Sequence, residues 1–155
     1  MSLNKAVEAM QQTPIFSGID PKRLRLLAFM SENLTYRAGE LLFDQGEEGD
    51  SAFVVLDGEA SVLINIGGEK REVAVIGSKQ VFGEMAVLCD IPRTAAIGAK
   101  SDLEVLRIDR EAFLKLLTEF PEVSLQVMRF LAERLENTTR DLGAARAKLS
   151  ELEGN

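Results

Sequence analysis

The chain has 155 residues, 46% hydrophobic and 28% charged, with a formal net charge of −7, which suits one globular domain and leaves little length for a second. The acidic balance has no basic stripe, so nucleic-acid contact is not expected, and no apolar run approaches a membrane span. There is no histidine, and Cys89 is the single cysteine. That removes Ser-His and Cys-His nucleophiles, most zinc and iron sites, and any disulfide within the chain.

Residues 1–33 read as helical. Leu24, Leu26, Leu27 and Met30 give an apolar side, and Asp20-Pro21 is a helix start, with a capping oxygen followed by proline in the first position. Thr13-Pro14 and Ser17-Gly18 interrupt what precedes it. No basic segment followed by an apolar run opens the chain, so no signal peptide is expected. With a lone cysteine, a reducing cytoplasmic location follows as an expectation.

From Leu34 to Ile108 glycines punctuate short apolar runs: Leu41-Leu42-Phe43, Phe53-Val54-Val55-Leu56, Ser61-Val62-Leu63-Ile64 and Val73-Ala74-Val75-Ile76. Evenly spaced short strands with glycine turns predict a barrel, roll or jelly roll. Ile66-Gly67-Gly68-Glu69 reads as a hairpin tip, because paired glycines tolerate positive φ.

Residues 109–155 turn helical again, with Asp109 as a cap and Pro121 in a first turn. Met128, Leu131, Leu135, Thr138, Leu142, Ala145 and Leu149 then follow at spacings of 3, 4, 3, 4, 3 and 4. Such a heptad seam predicts a parallel homodimer through residues 128–149; the alternative is a stripe packed on the roll.

The stretch Val81-Phe82-Gly83-Glu84-Met85-Ala86-Val87-Leu88-Cys89-Asp90-Ile91-Pro92-Arg93-Thr94-Ala95-Ala96 carries the chemistry. Gly83-Glu84 opens one helical turn, Met85 to Leu88, whose free N–H groups attract an anion. Arg93 stands at the entry to a small-residue strand, Thr94 to Ile97, and its planar fork matches phosphate oxygens in pairs. Small side chains at Ala86, Thr94 and Ala95 let a ligand approach the backbone. Ionised Glu84 only accepts, so beside an anion it needs a donor, either a sugar hydroxyl or Arg93 itself. One acceptor for hydroxyls and one cation for phosphate describe a sugar-phosphate site.

These residues resemble the phosphate-binding cassette of the cyclic nucleotide-binding domain family. That family includes regulatory subunits of cAMP-dependent protein kinase, the catabolite activator protein and cyclic-nucleotide-gated channels. The block from Asp44 to Glu59 (Asp44-Gln45-Gly46-Glu47-Glu48-Gly49-Asp50 and onward) is similar to the family's glycine-rich turns, and the likeness runs from Ile15 to Leu135. The resemblance implies an α+β fold: a double-stranded β-helix, or jelly-roll-like β-roll, flanked by N-terminal helices and a C-terminal helical lid and dimer helix. It implies cAMP as ligand, no metal and no catalytic residue.

Glu84 would accept from the ribose 2′-hydroxyl, and Arg93 would supply the only side-chain cation on the cyclic phosphate. Backbone N–H groups of Gly83, Glu84, Met85 or Ala86, and of Thr94, would complete the cradle. Thr138 and Thr139 fall where the activator's hydroxyl pair reaches the adenine amino group. Thr94 is a departure from the alanine usual in kinase regulatory subunits, and it resembles cGMP-responsive relatives, so cGMP ranks second. A nucleotide-free dimerisation scaffold is the other alternative. An effector domain or partner protein outside this chain would read the signal, and the fold is expected to survive loss of Arg93 or Glu84.

Overall fold

The computed structural model describes residues 3–154. Two helices, α1 (Leu3–Gln11) and α2 (Pro21–Met30), flank a 3-10 turn at Pro14–Phe16. The Asp20 side chain accepts from the Lys22 amide and so caps α2 as its Asp-Pro start predicts. Ser31 ends α2 in an extended conformation, its hydroxyl donating to the Leu27 carbonyl. The chain therefore enters the first strand at Glu32, inside the segment expected to be helical.

Eight strands follow: β1 (Glu32–Tyr36), β2 (Leu41–Phe43), β3 (Ser51–Asp57), β4 (Ala60–Ile66), β5 (Glu69–Ile76), β6 (Val81–Phe82), β7 (Ala96–Ala99) and β8 (Leu103–Asp109). They form two four-stranded antiparallel sheets in the orders β1-β8-β3-β6 and β2-β7-β4-β5. The short helix α3 (Glu84–Cys89) lies between β6 and β7 in sequence, and α4 (Arg110–Glu119) and α5 (Pro121–Glu153) follow the roll. The fold is thus an α+β β-roll with helices at both ends of the chain. Gly67 and Gly68 both have positive φ at the β4–β5 hairpin tip, as that turn requires.

β3 is buried along Ser51 to Leu56 because it serves two cores at once. Side chains alternate across a strand. Ala52, Val54 and Leu56 pack with the helical cluster containing Met10, Phe16, Leu24 and Phe113, whereas Phe53 and Val55 face the roll interior with Phe82, Ile97 and Val105. β8 divides in the same way, Leu106 and Ile108 going to the first cluster and Leu103 and Val105 to the second. A strand covered on both faces reads as an uninterrupted apolar run, which explains Phe53 to Leu56.

The heptad stripe on α5 does not pack on the roll. Val123 and Val127 are buried and Leu131 touches the helical core, but every described residue from Ala132 onward is exposed. Met128, Leu135, Leu142 and Leu149 are each more than half exposed.

Candidate functional site

β6 ends at Phe82, and Gly83 turns the chain into α3 with φ of 79°. A side chain at Gly83 would be strained there, and its Cβ would stand 2.7 Å from a guanidinium nitrogen of Arg93. Gly49 backs the same helix so closely that a Cβ would lie 2.1 Å from the Ala86 Cβ. Two backbone hydrogen bonds pin Arg93 to the glycine-rich β2–β3 connection: Gly46 N–H donates to the Arg93 carbonyl, and Arg93 N–H donates to the Glu47 carbonyl, each at 2.8 Å. The two motifs separated in sequence are thus one structural unit.

Arg93 is only 4% exposed. Its Nη1 donates to the Gly83 carbonyl at 3.0 Å, and its Nη2 donates to the Ser51 carbonyl at 2.8 Å and to Ser51 Oγ at 3.3 Å. The guanidinium lies 4.0 Å from the Phe43 ring centroid, within cation–π range. Asp50 stands at 3.9 Å, at the limit of an ion pair. Burial draws the Arg93 pKa down from its ordinary value, with Asp50 opposing. The buried Nε–H has no acceptor among the described residues. An unmet buried donor costs about 1–3 kcal/mol, so an anion accepting that proton fits the site. Through these contacts the Arg93 side chain also ties β3 to the start of α3, so its loss is expected to lower stability as well as binding.

Glu84, the first residue of α3, is 2% exposed. Burial pushes its pKa up, and the charge of Arg134 pulls against that shift. Arg134 reaches down from α5 and donates from Nη1 to Glu84 Oε1. It is the residue that sequence reasoning missed as a second cation at this site, although it lies one helical turn before Thr138. Phe43 was missed as well, and no local signal in its own strand marks it.

Gly83, Met85, Ala86, Arg93, Thr94 and Ala95 line one cleft with Arg134, and Phe43, Val62, Ile76, Phe82 and Ile97 supply its apolar walls. Glu84 borders it through the Arg134 pair. Thr138 and Thr139 are exposed on α5 and do not line this cleft. The expected strand from Thr94 begins instead at Ala96, where pairing with Leu63 starts, which leaves Thr94 and Ala95 in the turn facing the cleft. The arrangement sets a buried cation and a buried acceptor beside apolar walls, which is chemistry for an anion, a hydroxyl and an apolar group. Among the described residues no group of three His, Cys, Asp or Glu side chains is placed to hold a metal, and no helix is long and apolar enough to cross a membrane.

The family model of the cyclic nucleotide-binding domain matches residues 33–120. The chain belongs to that family, and carries a regulatory domain of the kind found in catabolite activator proteins and kinase regulatory subunits. It is 31% identical to a cyclic AMP receptor protein of Thermus thermophilus over 86% of its own length and 62% of that protein. It is 35% identical to a cGMP-dependent protein kinase of Caenorhabditis briggsae over 74% of this chain and 16% of the kinase. Among solved structures, the regulatory domain of Toxoplasma gondii PKA with cAMP superposes with a TM-score of 0.67 at 26% identity, covering 73% of this chain and 43% of that one. The chain therefore spans less than two thirds of these relatives.

Proposed function

We propose that this domain is a non-enzymatic cAMP sensor. The observation that carries the reading is the pair of buried charges, Glu84 and Arg93, held at one short helix against an apolar wall. Arg93 meets the cyclic phosphate with Nε–H, and the backbone N–H groups at the start of α3 and at Thr94 complete the cradle. Glu84 accepts from the ribose hydroxyl, and Arg134 follows the ligand from α5. Because Arg134 belongs to the lid, nucleotide binding shifts the position of α5 and passes outward along it. The exposed stripe from Met128 to Leu149 pairs with a second copy, and Thr138 and Thr139 approach the base once the helices close. An effector beyond this chain reads the change, and the lone Cys89 suits a cytoplasmic setting.

A second reading, cGMP selectivity, is favoured by Thr94, whose hydroxyl can accept from a guanine 2-amino group, and by the kinase relative. Calorimetry with cAMP and cGMP in parallel decides between them. We expect cAMP to bind more tightly, and Thr94→Ala to reduce cGMP affinity more than cAMP affinity. A tighter cGMP isotherm reverses the ranking. Absence of binding by both nucleotides, with no thermal stabilisation, leaves the dimeric scaffold in place of the sensor.

A further inference from the structure

The surface between α2 and α4 departs from the ordinary pattern of an apolar inside and a polar outside. On α2, Leu24, Leu27 and Ala28 are packed, yet Leu26, Phe29 and Met30 are 60%, 75% and 60% exposed. Leu26 and Met30, one helical turn apart, form a wall of a groove of about 270 Å³, with Leu27 on the same side and Leu116 and Phe120 opposite. Leu26 is also a ridge, since a second hollow opens on its other side against Leu3 and Phe29. Scattered exposed leucines are common, but three large side chains around adjoining hollows make a contiguous apolar patch.

The rim is basic in an acidic protein. Lys22, Arg23, Arg25 and Lys115 border these hollows, and Glu119 is the one carboxylate among the described lining residues. Arg23 lies 4.7 Å from the Phe120 ring centroid. Lys22, Arg25 and Lys115 form no ion pair with any described residue. The chain as a whole carries −7, so the local sign is reversed where the apolar side chains stand out.

We propose that the α2–α4 groove receives an amphipathic helix of a partner protein, with leucine-like side chains seated beside Leu26 and Met30 and carboxylates facing the basic rim. An amphipathic helix in a groove uses anchors at i, i+3 or i+4 and i+7, which suits a shallow concave surface one to two turns long. Charge complementarity selects an acidic partner and speeds its encounter. A second copy of this face is disfavoured, because a two-fold contact of the patch with itself sets like charges together. An anionic bilayer is disfavoured too, since the surface is concave and the net charge is negative.

The test uses fluorescence anisotropy on the full chain with two labelled peptides of roughly five helical turns. Both carry leucines at i, i+4 and i+7; one is flanked by glutamates and the other by lysines. The acidic peptide should saturate with Kd on the order of 10–100 µM. Leu26→Ser with Phe29→Ser, at positions too exposed to unfold the domain, should weaken it at least about tenfold. Arg25→Glu with Lys115→Glu should exchange the preference, losing the acidic peptide and gaining the basic one. Failure of the acidic peptide to saturate, or equal binding to all variants, overturns the proposal. It is also overturned if the serine variant instead abolishes sedimentation with phosphatidylserine vesicles or self-association of the chain.

Discussion

The nucleotide cleft and the distal half of α5 break the same rule in opposite directions. In the cleft, Glu84 and Arg93 are charged side chains almost wholly removed from water. On α5, Leu135, Leu142 and Leu149 are apolar side chains left in it. Burying a charge without full pairing costs several kcal/mol, and exposing a leucine forgoes about 1.5–3 kcal/mol. The cleft thus keeps a buried donor on Arg93 without an acceptor among the described residues, and the distal half of α5 keeps an apolar stripe that none of them covers. A departure from ordinary burial points to the chemistry of whatever would cover it.

Arg93→Ala should weaken cAMP binding by several hundred-fold or more, since the charge-assisted hydrogen bond from Nε–H is lost and a partly buried phosphate is left without its counter-charge, together roughly 3–5 kcal/mol. It should also lower unfolding free energy by roughly 2–3 kcal/mol, because the hydrogen bonds to Gly83 and Ser51 are lost with it. Calorimetry and urea unfolding measure the two parts. Arg93→Lys should recover part of the affinity, as an ammonium lacks the fork. Parent-like binding by the alanine variant would remove Arg93 from the site.

The α5 side breaks next. Leu135→Glu with Leu142→Glu should convert a dimer to a monomer in sedimentation at micromolar concentration, because like charges cannot pair across a symmetric seam. Thermal stability of the roll should change little, as both positions are exposed in the single chain. An unmodified chain that sediments as a monomer would remove the dimer from the reading.

A smaller effect joins the two regions. Arg134→Gln should reduce cAMP affinity about tenfold to a hundredfold, in line with one charge-assisted hydrogen bond. An unchanged isotherm would show that the lid contact with Glu84 has no part in binding.

The smallest effect concerns pH. Burial holds the folded-state pKa of Glu84 above its unfolded value, so the folded protein binds the proton more readily. The associated stability is present below the ordinary carboxylate range and is lost as pH rises through the elevated folded pKa. Glu84→Gln should therefore gain on the parent in melting temperature across that rise, and the gap should level off above it. A gap independent of pH would mean that Glu84 is not strained by burial.

Much of the roll was legible because strands covered on both faces leave unbroken apolar runs, as in Phe53 to Leu56, and because Gly67-Gly68 marks a turn by backbone freedom alone. That Gly83, Glu84 and Arg93 would come together was legible in their spacing around one short helix. Arg134 escaped because its partner Glu84 lies 50 residues away, and no local pattern records a contact across that distance. Ser51 and Phe43 escaped for the same reason. The boundary errors at Glu32 and Ala96 come from a hydroxyl that closes α2 and from sheet pairing that starts late, neither of which propensity registers.

The close approach of Gly49 to Ala86 bears on how this chain can drift over generations. Neither position has room to grow while the other stays as it is, since a Cβ at 49 already collides with the methyl at 86. Larger residues at either place would push α3 outward and carry Glu84 with it. Among descendants that retain the cleft, these two sites should remain small together, a paired constraint that ties a turn between β2 and β3 to a helix encoded some 35 residues later.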